Sequence, residues 1–216
     1  MRERMSTMRS MTSFARAERA ALCDLFDRVG PDAPTLCEGW RTRDLAAHLV
    51  IREARPDAAL GIVLPPLASR TERVQAGIAG RPWSELVDAV RSGPPRVLKP
   101  VDEVMNTVEY FVHHEDVRRA EPDSEPRDLD PALEETLWRR LRTAGRLMFR
   151  RAGVTVELEA PGRGWVRAGS GADTVRVSGA PSELVLFGFG RGSRSMVELD
   201  GTEAAVERSR SASLGL

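Results

Sequence analysis

Hydrophobic periodicity changes once along this chain, close to Gly153, and the change predicts an α+β fold with its helices first. Upstream, apolar residues recur every three to four positions. Downstream, VTVELEA, GWVRA and TVRVSG alternate apolar with polar residues, the pattern of short antiparallel strands, and Gly162, Gly164, Gly169 and Gly171 read as the turns between them. From Ser13 the run FARAERAALCDLFDRVG sets Phe14, Ala17, Ala21, Leu22, Leu25 and Phe26 on one helical face, with Thr12 or Ser13 as cap and Gly30-Pro31 as stop. A second helix runs from an N-cap at Thr42 to about Arg55, before Pro56. The prolines of GIVLPPLA make an ordered loop, followed by short helices at 70–79 and 82–91. A long helix at about 101–120 and another at 131–151, with Leu133, Leu137, Leu141, Ala144 and Met148 inward, complete a four-helix bundle over residues 12–152. Residues 153–216 form a small α+β domain: Pro181 opens SELVLFGFG as a helix, MVELDG is a last strand, and ERSRSASLGL is a loose tail. Residues 1–11 read as a disordered extension, with the true start at Met1, Met5, Met8 or Met11.

Charge and cysteine usage narrow the function. Lys plus Arg and Asp plus Glu are both 32, so bulk electrostatic attraction to nucleic acid is not expected. No apolar run reaches the ~20 residues of a membrane span, and the N-terminus has no apolar signal-peptide core, so a cytoplasmic location is expected. Cys23 and Cys37 are too few for a disulfide framework or a thiolate zinc cluster. Cys23 falls on the apolar face of the first helix, and Cys37, in TLCEGW, reads as a buried loop residue rather than a reactive thiol.

The run NTVEYFVHHEDVRRA carries the chemistry. Glu109, His113 and Asp116 lie one turn apart on one helical face. On the wheel Val101, Val104, Met105, Val108, Phe111 and Val112 form the apolar stripe, Glu109, His113 and Asp116 border it, and His114 points about a quarter turn further away. His48, between Leu45 and Ile51 on the second helix, faces inward. One carboxylate and two imidazoles on packed helices are a common way to hold a divalent cation, so His48, Glu109 and His113 are the candidate ligands, and catalytic residues beyond them stay unassigned. The bland alternative is a buried Glu109–His113 hydrogen bond without an ion. Asp116 either orients a ligand or pairs with an arginine such as Arg119. Zinc suits this donor set first, with nickel, iron(II) or manganese also fitting, and three protein ligands leave a position open for water or substrate.

The segments CEGWRTRDLAAHL (37–49), EYFVHHED (109–116) and GAPSELVLFGFGR (179–191) together resemble the DinB/YfiT-like superfamily, and within it the mycothiol-dependent maleylpyruvate isomerase branch and an actinobacterial metal-binding subgroup. The resemblance implies a metal-binding four-helix bundle with His48, Glu109 and His113 as ligands, and a sterol-carrier-like α+β domain after it. It further implies a mycothiol-type thiol as cosubstrate and an electrophilic small molecule as substrate; Arg191, at the end of the third segment, either contacts an anionic group of one of these or forms a surface ion pair. Two functions fit: a metalloenzyme of thiol-dependent transfer or isomerisation, or a non-catalytic protein binding a metal or small ligand, the second domain then holding a ligand or, in a homodimer, a second copy of itself.

Overall fold

The computed structural model describes residues 13–54, 68–97 and 102–211. The expected extension at 1–11, the GIVLPPLA loop up to Leu67 and the start of the long helix at Val101 lie outside these residues. Contacts within the chain separate two compact units, one ending at Val117 and one beginning at Arg118.

The first unit is helical. Helix α1 (Phe14–Val29) is capped by Ser13, whose hydroxyl accepts from the Arg16 amide and donates to Glu103 at 2.7 Å. Glu103 also accepts from the Phe14 and Ala15 amides, placing a carboxylate at the positive end of α1. Helices α2 (Thr42–Ala54), α3 (Ala68–Ala79), α4 (Trp83–Ser92) and α5 (Asp102–Arg118) follow. At the start of α2, Asp44 reaches back to the Arg41 amide at 2.9 Å, a reciprocal cap that fixes where the helix begins. Leu22 and Phe26 of α1, Leu45, Leu49 and Ile51 of α2, Leu86, Val87 and Val90 of α4 and Tyr110 of α5 form the core. Each such side chain contributes about 1.5–3 kcal/mol by leaving water. Phe26 meets Trp83 edge to face, centroids 5.4 Å apart.

Helix α5 follows the apolar wheel only in part: Phe111 and Val112 of the expected stripe are buried. Val104 and Met105, assigned to its inner stripe, are exposed, whereas Asn106, Thr107, Tyr110 and the whole run from His113 to Asp116 are buried. The cause is a polar interior in which most of the buried groups satisfy one another, Arg19 Nε and the Tyr110 hydroxyl being left without a hydrogen bond among the described residues. Arg19 of α1 bonds Glu53 of α2 and Asp102 of α5, each at 2.7 Å. Asn106 donates to the same two carboxylates at 2.9 and 2.7 Å. The Arg19 guanidinium also lies 4.4 Å over the Tyr110 ring. This network ties three helices at one level, which fixes the register of α2 against α5 and so the height of His48 relative to Glu109.

The second unit begins with Arg118 and contains helix α6 (Pro131–Met148), capped by Asp130 through the Ala132 amide. The strands β1 (Thr155–Ala160), β2 (Gly164–Gly169), β3 (Thr174–Ser178) and β4 (Glu198–Asp200) form one sheet in the order β2-β1-β3-β4. Helix α7 (Pro181–Gly188) precedes β4, and α8 (Glu203–Ser211) follows it. The sheet is mixed, not wholly antiparallel: β1 pairs antiparallel with β2 but parallel with β3. To join β2 to β3 the chain must pass under the first residue of β1, because Gly169 and Thr174 are both partners of Thr155. A Cβ on Gly171 would lie 2.4 Å from the Gly153 carbonyl oxygen, so this crossing requires glycine.

One sheet face, with Val156, Leu158, Ala168, Val175 and Val177, is buried. Helix α6 covers it: Gly145 lies where a Cβ would touch Ala168 and Leu158. Its buried Leu133, Leu137 and Leu141 therefore belong to the sheet's unit, and the contacts divide the chain earlier than the change of periodicity at Gly153 does. Inside this unit Arg119 makes a two-pronged bond to Glu183 at 2.6 and 2.9 Å and also donates to the Arg194 carbonyl. The expected loose tail is helical as far as Ser211, because Ala205 and Ser209, one turn apart, are both fully buried and Thr202 accepts from the Ala205 and Val206 amides at its start.

Candidate metal centre

The loop between α1 and α2 closes over the exposed end of the polar interior of the first unit. A bridge between Pro34 and Arg41 narrows it, and the Thr35 hydroxyl donates to the Trp40 carbonyl at 2.9 Å and accepts from the Cys37 amide at 3.2 Å. The Leu36 amide donates to the Asp116 carbonyl at 2.9 Å, pinning the loop to the end of α5. Two side chains are thereby set in place. Trp40 lies against His48, centroids 5.1 Å apart, and Cys37 Sγ lies 3.2 Å from Asp116 Oδ2.

Beneath this loop the three candidate ligands converge. Glu109 Oε1 is 3.2 Å from His113 Nε2 and 3.6 Å from His48 Nε2, and the donor atoms of the three residues lie within 4.8 Å of one another. The two imidazoles meet edge to face at 5.4 Å. A tetrahedral ion with bonds of ~2.1 Å separates its donors by about 3.4 Å, between the two distances found here. The other nitrogen of His113, Nδ1, is 2.9 Å from Asp116 Oδ2. A carboxylate there favours a proton on Nδ1, so Nε2 is the nitrogen that can turn a lone pair toward Glu109 and His48 once it gives up its own proton, as a metal ligand needs. The donor set thus fits a divalent ion.

Electrostatics shows what such an ion would displace. Burial, the largest influence on His48, pushes its pKa down and so favours the neutral ring. Burial opposes ionisation of Glu109, but bonds to His113 and His48 and the charge of Arg52 outweigh it and hold the carboxyl well below its usual range. His113 is raised well above the usual imidazole value: burial opposes the charge, and bonds to Asp116, Cys37 and Glu109 prevail. The raised His113 ring is set between Asp116 on Nδ1 and Glu109 on Nε2, so the proton it carries on Nε2 stands where a cation would.

Three neighbours were not legible as parts of this centre. Arg52 Nε lies 3.1 Å from Glu109 Oε1, and its guanidinium also bonds Asn106. Its position four residues after His48 on one helix face was the available signal. Cys37 and Trp40 arrive by loop closure, which no local spacing encodes. His114, expected to point away, is buried at 6% exposure, with Nδ1 2.8 Å from Glu18 of α1. Arg191 lies in the second unit just after α7, where its guanidinium donates to the Phe189 carbonyl.

No family model and no curated protein matches this chain. The fold resembles that of mycothiol-dependent maleylpyruvate isomerase. A crystal structure of a histidine-to-alanine variant of that enzyme matches with a TM-score of 0.59 at 17% identity, covering 87% of this chain and 90% of the other. A second crystal structure of the isomerase matches with a TM-score of 0.53 at the same identity and coverage. No helix among the described residues is long and apolar enough to cross a membrane.

Proposed function

We propose that the first unit binds one divalent transition-metal ion through His48 Nε2, a Glu109 carboxylate oxygen and His113 Nε2, and that the protein uses it in a thiol-dependent transfer or isomerisation. The observation that carries the metal site is the convergence of these three donors on α2 and α5 beside a His113 oriented by Asp116. Zinc is the first candidate ion, with nickel, iron(II) and manganese behind it. The fold shared with a mycothiol-dependent isomerase supports a low-molecular-weight thiol of that type as cosubstrate and an electrophilic small molecule as substrate. A bound divalent ion would lower the pKa of a coordinated thiol and so supply a nucleophile at neutral pH.

The chain's own contribution is positional. Asp116 keeps the His113 proton on Nδ1, Trp40 packs on one face of His48, and the loop at Thr35–Trp40 shields the ligands from solvent. Arg52, a quarter exposed beside Glu109, holds a positive charge where an anionic group of the thiol or substrate can pair with it. We extend the proposal to Arg191 as an anion contact and to the second unit as a sterol-carrier-like domain, both on the sequence resemblance alone. The experiment is thiol consumption by zinc-loaded protein with panels of unsaturated and epoxide electrophiles. Turnover that needs both metal and thiol supports the enzyme; stoichiometric metal with no thiol consumed throughout would make the protein a non-catalytic binder.

A further inference from the structure

The thiol of Cys37 is not a ligand in the proposed centre, yet it is fixed against it. Cys37 Sγ, Asp116 and His113 place their donor atoms within 4.8 Å of one another, a second three-donor group that shares His113 with the first. We infer that Cys37, Asp116 and the Nδ1 side of His113 form a separate site for a thiophilic cation, and that the two sites exclude each other. The exclusivity, though not the site itself, rests on reading His113 as a ligand of the first centre.

The donors differ in kind from those beside them. A thiolate, a carboxylate and an imidazole favour soft ions such as cadmium over the harder ions that a carboxylate with two imidazoles also accepts. Asp116 is fully buried and His113 nearly so, whereas Cys37 is only partly covered, so an ion can enter from the loop side and meet sulfur first. The loop is held from both ends of the contact, by the Leu36 amide on the Asp116 carbonyl and by Thr35 on Cys37. Present separations are 2.9 Å from His113 Nδ1 to Asp116 Oδ2 and 3.2 Å from Cys37 Sγ to the same oxygen. Around a tetrahedral ion with bonds of ~2.1 Å to nitrogen and oxygen and ~2.3 Å to sulfur they would be about 3.4 and 3.6 Å. These two contacts need to spread by only about half an ångström, the protons of the thiol and of Nδ1 leaving to solvent as the ion enters.

Exclusion follows from the imidazole. A neutral ring has one nitrogen lone pair. With the proton on Nδ1, His113 serves His48 and Glu109 through Nε2. With the proton on Nε2, held by Glu109 at 3.2 Å, it serves Cys37 and Asp116 through Nδ1. A soft cation bound at Cys37 thus removes the ligand, and the orienting carboxylate, on which the first centre depends.

Cation-free full-length protein titrated with cadmium tests this, by the ultraviolet thiolate-to-cadmium charge-transfer band and by metal content per chain. The expected result is a band that saturates at one equivalent, is lost in Cys37→Ser and persists in His48→Ala, with zinc released from zinc-loaded protein one for one. No band in the wild type, a band that survives Cys37→Ser and so arises at Cys23, or loss of the band in a folded His48→Ala variant would overturn the site. Two ions held at once by each chain would overturn the exclusion. Failure of the first centre reads differently: His48→Ala would then bind zinc as the wild type does, with the cadmium band intact.

Discussion

Replacing Asp116 with Asn tests how the proposed centre is oriented. Asp116 is fully buried and accepts a 2.9 Å bond from His113 Nδ1. Asn keeps the shape and an oxygen acceptor but removes the charge. A hydrogen bond to a charged group contributes roughly 1.5–3 kcal/mol and a neutral one roughly 0.5–1.5, so the substitution costs about 1.4 kcal/mol, a tenfold loss of metal affinity. Asp116→Ala should lose more, because Nδ1–H is then buried without its acceptor, a further cost of about 1–3 kcal/mol. Protons complicate the reading in a predictable direction. Asp116 is the foremost of the groups that raise His113, so without its charge the ring gives up its proton more readily and competes less with metal. The gap between wild type and Asp116→Asn should therefore be full at pH values where His113 is neutral in both and narrow as pH falls. The assay is competition with a chromogenic zinc chelator across a pH series. Equal affinity of wild type and Asp116→Asn at every pH, or Asp116→Ala binding no more weakly than Asp116→Asn, would refute the assigned role.

Metal binding at neutral pH should release about one proton per ion, since His113 is raised and must vacate Nε2; calorimetry in buffers of different ionisation enthalpy reads this directly, and release of none would contradict it. In cation-free protein the same raised pKa stabilises the fold fully below the unfolded imidazole value of ~6.5, a contribution lost as pH rises through the folded value; thermal melts with and without zinc should diverge as that happens. Arg52→Gln should tighten zinc binding several-fold by removing a positive charge 3.1 Å from Glu109, with unchanged affinity counting against the placement. Glu53→Ala, which leaves Arg19 half-paired in a buried network, should cost about 3–5 kcal/mol in denaturant unfolding, and a loss under 1 kcal/mol would mean the network does not fix α2 against α5.

Much of the element order is legible in the sequence because it depends on local signals. Periodicity, Ser13 as a cap and Pro181 at a helix start mark α1, α6 and α7 within a few residues. The convergence of His48, Glu109 and His113 is legible for a related reason: helical spacing places two of them, and an inward histidine on a neighbouring helix supplies the third. What escaped depends on tertiary contact. Alternation of apolar residues is the same whether β1 pairs with β3 parallel or antiparallel, and only the passage of Gly171 beneath β1 decides it. An apolar wheel places Phe111 and Val112 inward but turns His114 away, because it takes no account of buried polar partners, and Glu18 on α1 and Glu53 on α2 receive His114 and Asn106. Helix α6 has a stripe that would serve a bundle equally well, and packing on the sheet rather than periodicity assigns it to the second unit.

Elemental analysis of purified protein beside its His48→Ala, His113→Ala and His114→Ala variants tests the central claim most directly. The wild type and His114→Ala should each carry about one transition-metal ion per chain, and His48→Ala and His113→Ala should carry almost none after dialysis. Full metal content in both of those variants, or its loss in His114→Ala alone, would contradict the centre built on His48, Glu109 and His113.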